Sequence, residues 1–328
     1  MVIYMSIQEK LIKWYEVNKR NLPFRDIKDP YKIWVSEIML QQTTVTAVIP
    51  YYKRFIERFP DIETLANATI EEVYKYWEGL GYYRRALHLH KSANLMKDTF
   101  PTEYKDILAL IGVGPYTASA IMSFAYHKPY IAVDGNALRV LSRLYAIEEN
   151  IALNKTVKTI TNIGNQLVIG YDSAKINQGI MDFANAVCLP VHPHCRAYLT
   201  NKQDVLPINI KKVNKKSLSY ITGIVVYDDE VMLIKNKNGL LENMYLLPQY
   251  EVESPYSFIE AFKEDYGIDL EVLSHLKDFK HVFTHRTWYM HVYVFKADIR
   301  SIDFYTKNKQ EELTIPTAHK KILKYYEG

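Results

Sequence analysis

The chain has 328 residues, 48% of them apolar, so it is long enough for two domains and apolar enough for each to bury a core. Its 41 basic and 37 acidic residues leave a net charge of +4, which permits nucleic-acid binding without demanding it. No apolar stretch reaches the ~18 residues that cross a bilayer, and Met1-Val-Ile-Tyr-Met lacks the basic start and long apolar run of a signal peptide, so an intracellular protein is expected, cytoplasmic and nucleoid-associated if bacterial.

Residues 1–204 read as one all-helical domain. Ser6 with Glu9, and Thr69 with Glu72, have capping-box spacing ahead of amphipathic stretches such as Leu11, Ile12, Trp14, Tyr15 and Val73, Tyr76, Trp77, Leu80. Glu37 lies in Trp34-Val-Ser-Glu-Ile-Met-Leu-Gln-Gln-Thr43, where Val35, Ile38 and Met39 would bury one helical face. A glutamate pressed against such a face has its charged form disfavoured, and its pKa rises toward that of a general acid at neutral pH. Taken alone, a solvated helix glutamate is the competing reading. The basic groups Arg84-Arg85, Lys211-Lys212 and Lys215-Lys216 each read as a solvated face.

In Leu110-Ile-Gly-Val-Gly-Pro-Tyr-Thr-Ala-Ser-Ala-Ile121, Gly112, Gly114 and Pro115 form a tight turn into a helix. Backbone N–H groups crowded at such an entrance can hold a phosphate without a charged side chain. Asp134 follows between the apolar run Tyr130-Ile-Ala-Val133 and a Gly135-Asn136 turn, so its carboxylate can sit at the mouth of whatever the first turn holds. A carboxylate near a captured phosphate chain suggests chemistry on a sugar.

Residues 205–217 combine Pro207 with dense positive charge and little periodicity, which predicts a linker. Beyond it, Tyr220 to Tyr227, an Asp228-Asp229 turn and Val231 to Ile234 read as a strand pair, Trp288 to Phe295 as another strand, and Ser257 to Tyr266 as a helix. Residues 218–328 are therefore expected to form an α/β domain.

The order and spacing of Leu110 to Ile121 and Val133-Asp-Gly-Asn136 resemble the helix-hairpin-helix and Gly/Pro-Asp loop of the endonuclease III superfamily of DNA glycosylases. With Leu22-Pro-Phe-Arg25, Glu37-Ile-Met-Leu-Gln-Gln-Thr43 and Gly79-Leu-Gly-Tyr-Tyr-Arg-Arg-Ala86, residues 7–204 resemble the MutY type of adenine DNA glycosylase, which removes undamaged adenine mispaired with 8-oxoguanine. The resemblance implies a monomer acting on double-stranded DNA that holds A·8-oxoguanine or A·G mispairs, with no membrane partner. It implies that Glu37 protonates N7 of a flipped adenine and that Asp134 stabilises the positive charge developing on the sugar, with Tyr116 and Asn136 ordering the nucleophile or Asp134. Phe24, Arg25, Leu40 and Gln178 map onto the adenine pocket, and Phe24 stands where tryptophan is common. Gln42 and Tyr82 match residues that enter the base stack, and Gln41, Thr43, Gly112, Gly114 and Thr117 complete the DNA-binding set. The bifunctional branch carries a lysine at the position of Tyr116, and a phenol cannot form its Schiff base, so the expected enzyme is monofunctional.

Relatives hold a [4Fe-4S] cluster with four cysteines after the catalytic domain. Cys188 and Cys195 keep the first spacing, but Tyr198 and Asp204 occupy the other two places, so the cluster is expected to be absent. Cys188, His192, His194 and Cys195 make a zinc set on paper, disfavoured because they crowd one loop interrupted by Pro190 and Pro193. A disulfide is disfavoured in an intracellular protein, and the expectation is no metal and no cofactor.

Residues 218–328 resemble the MutT-like, Nudix-fold domain with which this family senses 8-oxoguanine, and Ala261-Phe-Lys-Glu-Asp-Tyr-Gly-Ile268 retains only a worn remnant of the hydrolase helix. The domain is expected to recognise rather than hydrolyse, through Phe283, Thr284 and His285. Two other readings stand beside this one. An endonuclease III-like pyrimidine glycosylase and lyase is opposed by Tyr116 and the second domain; a noncatalytic mismatch-binding protein is opposed by the presence of both Glu37 and Asp134.

Overall fold

A computed structural model describes residues 5–96, 98–195, 204–210, 216–283 and 286–327. The chain divides into two compact units, Met1–Lys211 and Lys212–Gly328.

The first unit is helical: α1 (Ile7–Asn18), α2 (Pro30–Leu40), α3 (Val45–Arg58), α4 (Ile62–Asn67), α5 (Ile70–Trp77), α6 (Arg84–Met96), α7 (Tyr104–Leu108), α8 (Pro115–Phe124), α9 (Gly135–Leu144), α10 (Asn154–Val168) and α11 (Ser173–Ala186). Ser6 makes the full capping box, accepting from the Glu9 amide at 3.2 Å while the Glu9 carboxylate accepts from the Ser6 amide at 2.6 Å. The second box is half made: Thr69 accepts from the Glu72 amide, but the Glu72 carboxylate is drawn to Arg58. Helix α2 starts at Pro30 under an Asp29 cap and is buried almost all round, which is why it reads as apolar on every face. A second core lies among α9, α10 and α11, with Trp14 of α1 set edge-on against Phe183.

The turn between α7 and α8 requires glycine twice over. Gly112 has φ +81°, and a Cβ there would come within 2.6 Å of His88 Nδ1. Residues 128–133 then form no strand pairing among the described residues, and asparagine side chains take up their backbone groups. Asn165 Oδ1 accepts from the Ile131 amide at 3.0 Å, and Asn177 Oδ1 from the Ala132 amide at 2.9 Å. Asn177 Nδ2 donates back to the Tyr130 carbonyl and to Ser123 Oγ. The Gly135-Asn136 pair, expected as a turn, is instead the first turn of α9, because Asp134 caps that helix.

Within residues 205–217, Leu206 is buried, and Ile208 and Ile210 bond to Ile151 and Asn150 of the first unit. Lys216 and Ser217 already pair in the sheet of the second unit, and residues 211–215 lie outside the described residues.

That unit contains β1 (Lys216–Tyr227), β2 (Glu230–Met232), β3 (Ile234–Lys235), β4 (Tyr245–Leu246), β5 (Gln249–Tyr250), α12 (Pro255–Tyr266), β6 (Leu270–Val282), β7 (Arg286–Ala297), β8 (Phe304–Tyr305), α13 (Lys307–Glu312) and α14 (Thr317–Tyr326). The main sheet runs β6-β7-β1-β2-β8, with β1 and β7 parallel and β5 joining β1. Strands β1 and β2 form the expected hairpin, Tyr227 opposite Glu230. Alternate residues of β1 feed two cores: Ile221 and Val225 meet Phe258 and Phe262 of α12, while Leu218 and Ile224 join Ile322 and Leu323 of α14. The fold is thus an all-α helix-hairpin-helix domain followed by an α/β domain of Nudix type. Among the described residues no helix is long and apolar enough to cross a membrane.

Candidate active site

Helix α2 carries Glu37 inward, 6% exposed, between the buried Ser36 and Ile38. Its Oε2 has no hydrogen-bond partner among the described residues, and the carboxyl bonds Tyr116, the second residue of α8. Burial pushes Glu37 up from 4.5 to about 7; the Tyr116 hydrogen bond and the Arg25 charge pull the other way, and the Asp134 charge adds to the rise. Burial also holds the Tyr116 phenol well above its ordinary value, so it is a neutral donor.

Asp134, whose charge acts on Glu37, is the N-cap of α9. Its Oδ1 accepts from the Ala137 amide and its Oδ2 from Asn136 Nδ2, both at 2.8 Å. Asn136 is itself held: its Oδ1 accepts from Arg139, whose guanidinium also donates to the carbonyls of Cys188 and Ala184. Glu37, Tyr116, Asp134 and Asn136 are therefore brought together, as the sequence implied.

Of the expected pocket residues, Leu40 ends α2 half-buried and Phe24 is buried edge-on against Tyr52, centroids 5.4 Å apart. Arg25, also expected in the pocket, is held by a carboxylate. Its Nη1 and Nη2 donate to the two oxygens of Asp182 at 2.5 and 2.8 Å, a bidentate pair that fixes the guanidinium. Arg20 joins the same carboxylate through Nε at 2.7 Å. Burial raises the Asp182 carboxyl, but the hydrogen bonds and charges of Arg25 and Arg20 outweigh it and hold the group below its ordinary value. Gln178 takes a hydrogen bond from the Tyr15 hydroxyl on its Oε1. Asp182 and Tyr15 were not legible as site residues; a buried-looking aspartate in Ile180-Met-Asp-Phe183 was the one available signal.

The expected DNA-facing residues gather around two turns and the hairpin. Gln41 Nε2 reaches the Gly112 carbonyl and Thr117 Oγ1 at 3.5 and 3.4 Å. Gly114 starts α8 with no side-chain cap and with open space where a Cβ would stand, which suits a helix entrance to an anion. Gln42 and Tyr82 are exposed and both have left-handed backbones, φ +58° and +51°. The reading of Arg84-Arg85 as a solvated face holds for Arg84 only. Arg85 is buried, and burial lowers it to about 10.

Cys188 and Cys195 are buried and unbridged. Cys195 hydrogen-bonds Cys188, and burial first, then its neighbour, pushes it up to about 11. Arg143, 2% exposed, sets Nη1 3.2 Å from Cys188 Sγ and 2.7 Å from the Leu189 carbonyl, while its Nε donates to the Leu206 carbonyl at 2.7 Å. A cluster that needs four thiolates does not fit two thiols engaged with each other and with a guanidinium. Asp204 is exposed and Tyr198 lies outside the described residues. Among the described residues no group of three or more His, Cys, Asp or Glu could hold a metal ion. In the second unit Phe283 packs against Trp288 at 4.8 Å; Thr284 and His285 lie outside the described residues.

Residues 35–166 match the HhH-GPD superfamily base excision DNA repair protein family, and residues 221–325 match the NUDIX domain. An adenine DNA glycosylase of Buchnera aphidicola subsp. Baizongia pistaciae is 34% identical, covering 98% of this chain and 96% of its own. The human adenine DNA glycosylase is 37% identical over 58% of this chain and 37% of its own. Among solved structures, a thermostable thymine-DNA glycosylase superposes with a TM-score of 0.53 at 30% identity, covering 57% of this chain and 88% of its own. With its helix-hairpin-helix unit, its Nudix-type unit and a relative matched across nearly its whole length, the chain belongs to the MutY-type adenine DNA glycosylase family.

Proposed function

We propose that the protein is a monofunctional adenine DNA glycosylase that binds double-stranded DNA as a monomer and releases adenine mispaired with 8-oxoguanine or guanine. The observation that carries this reading is Glu37, a buried carboxyl with an oxygen unpartnered among the described residues and a pKa raised to about 7, within reach of the Asp134 charge. Adenine leaves deoxyribose poorly as an anion and readily once a ring nitrogen is protonated. Glu37 donates that proton to N7 as the C1′–N9 bond breaks, and the Asp134 carboxylate stabilises the cationic sugar. Water then closes on C1′, giving up a proton to the carboxylate that Glu37 has become.

Tyr116 supports the monofunctional assignment, since it donates to Glu37 and has no amine with which to open the sugar. The protein works without a metal or cluster: the thiols and Arg143 already satisfy one another. Discrimination of 8-oxoguanine falls to Phe283, Thr284 and His285, because both mispairs present the same adenine to Glu37.

The test is release of free adenine from an A·8-oxoguanine duplex, followed with and without alkali. Base release with strand scission only after alkali supports the proposal. Scission without alkali supports a lyase, and binding without release supports a mismatch binder. Thr284→Ala with His285→Ala is expected to cost about 1–3 kcal/mol of preference over A·G, the scale of a good base-edge contact.

A further inference from the structure

We propose that Arg85 is the positioning residue that sets both base-extruding turns at once, holding Gln42 and Tyr82 in register with each other and with the helix that carries Glu37. This rests on the reading of Gln42 and Tyr82 as the side chains that fill the vacated stack. From the N-terminus of α6, Arg85 sends its guanidinium to the far end of α2, where the last turn of any helix leaves carbonyls unpaired. Nη1 donates to the carbonyls of Ile38, Met39 and Gln41 at 3.1, 2.7 and 2.5 Å. Nη2 donates to Thr43 Oγ1 and the Gly81 carbonyl, each at 3.1 Å. Gln42 is thus bracketed by bonded neighbours on both sides, Gln41 and Thr43, and Tyr82 by Gly81.

The two bracketed residues are the ones that need bracketing. Each has a side chain and a left-handed φ, a conformation that an L residue keeps only when its surroundings impose it. The guanidinium also lies over the Tyr82 ring at 5.2 Å and over Trp77 at 5.4 Å, so the half-exposed tyrosine is backed by a cation held from below. Trp77 Nε1 shares the Gly81 carbonyl at 3.0 Å, which fixes the second turn to α5 as well. One planar fork reaches five acceptors on two turns, and an ammonium cannot reproduce that geometry.

Extrusion requires both side chains to arrive where the base leaves, so their relative position matters more than the presence of either. Arg85→Lys and Arg85→Met are compared with Gln42→Ala and Tyr82→Ala on two substrates: a duplex with adenine opposite 8-oxoguanine, and one with adenine opposite an abasic site, already unpaired and cheaper to extrude. Single-turnover base release is measured with 2-aminopurine fluorescence beside the target, and thermal unfolding checks that each variant is folded. Arg85→Met is expected to slow release from the paired duplex by about a hundredfold and to lose the unstacking signal, with a several-fold smaller loss on the abasic one. Arg85→Lys, which keeps the buried charge, is expected to show the same selectivity more mildly.

An equal loss on both substrates for the lysine variant would overturn the inference, because a damaged fold or catalytic centre ignores how hard adenine is to extrude. If the alanine variants lose release selectively and neither Arg85 variant does, the positioning role fails while the extrusion reading stands. Absence of selectivity in the alanine variants overturns the extrusion reading and this inference with it.

Discussion

The carboxyl of Glu37 on α2 is hydrogen-bonded by the hydroxyl of Tyr116 on α8, so the proposed acid is joined directly to the hairpin helix. Burial is the larger influence on that carboxyl and raises it; the phenol opposes the rise by donating to the charged form. Tyr116→Phe removes only that opposition. The group then titrates higher, and the alkaline limb of the single-turnover pH profile is expected to move to higher pH. An unmoved limb, or one moved down, would contradict this link.

Glu37→Gln and Asp134→Asn are each expected to keep duplex affinity within a few-fold, since backbone contacts supply most of it, and to lose base release. Normal excision by either variant would end the assignment of roles.

Glu37 also ties stability to pH. Between 4.5 and about 7 the folded chain holds a proton that the unfolded chain releases, so its contribution is full below 4.5 and is lost as pH rises through 7. Glutamine does not titrate. Denaturant unfolding should therefore show Glu37→Gln gaining on the wild type by up to about 3 kcal/mol between pH 4 and pH 8. A difference constant with pH would refute the buried, raised carboxyl.

Asp182→Asn leaves the guanidinium of Arg25 without its bidentate partner and Arg20 with a weaker one. Removing one side of such a buried pair costs about 3–5 kcal/mol, and a fall in unfolding free energy of that size is expected from denaturant titration. A loss below about 1 kcal/mol, the scale of an exposed pair, would show the site to be solvated.

Arg143→Met strips donors from the carbonyls of Leu189 and Leu206. The expected cost is about 1–3 kcal/mol for the buried groups left unsatisfied, with faster amide exchange around Cys188. Elemental analysis of the wild type should find neither iron nor zinc. Roughly four irons per chain, the content of a [4Fe-4S] cluster, would overturn the reading of this loop.

The candidate catalytic residues could be named from the chain because the motifs that carry the family resemblance are local. Glu37 among apolar neighbours, Gly112 and Gly114 at a helix entrance, and Asp134 before Gly135 are each ambiguous alone, and it is their order that the resemblance reads. The supporting residues were not legible, because what defines them is a partner far along the chain. Arg85 looks like the second half of a basic pair until the end of α2, 46 residues earlier for Met39, supplies its acceptors. Asp182 shows its part only when Arg25, 157 residues away, pairs with it. Strand β6 escaped for another reason: it is the edge of its sheet, and Lys277, Asp278 and Lys280 break any simple alternation. The half-made cap at Thr69 is the converse case, a local rule overridden by the tertiary pull of Arg58 on Glu72.

The asparagine fastening of residues 128–133 sets an order of assembly. Asp134 follows a segment with no strand partner among the described residues, and Asn177, which bonds that segment twice, belongs to α11, the last described helix of the first unit. The stretch matched by the glycosylase family, residues 35–166, contains both carboxylates yet stops short of Asn177, Gln178 and Asp182. A polypeptide emerging from the ribosome would therefore hold its acid and its sugar-facing carboxylate some time before it held them in relation to each other. Competence arrives with α11, so a truncated product that keeps both named residues should be inert.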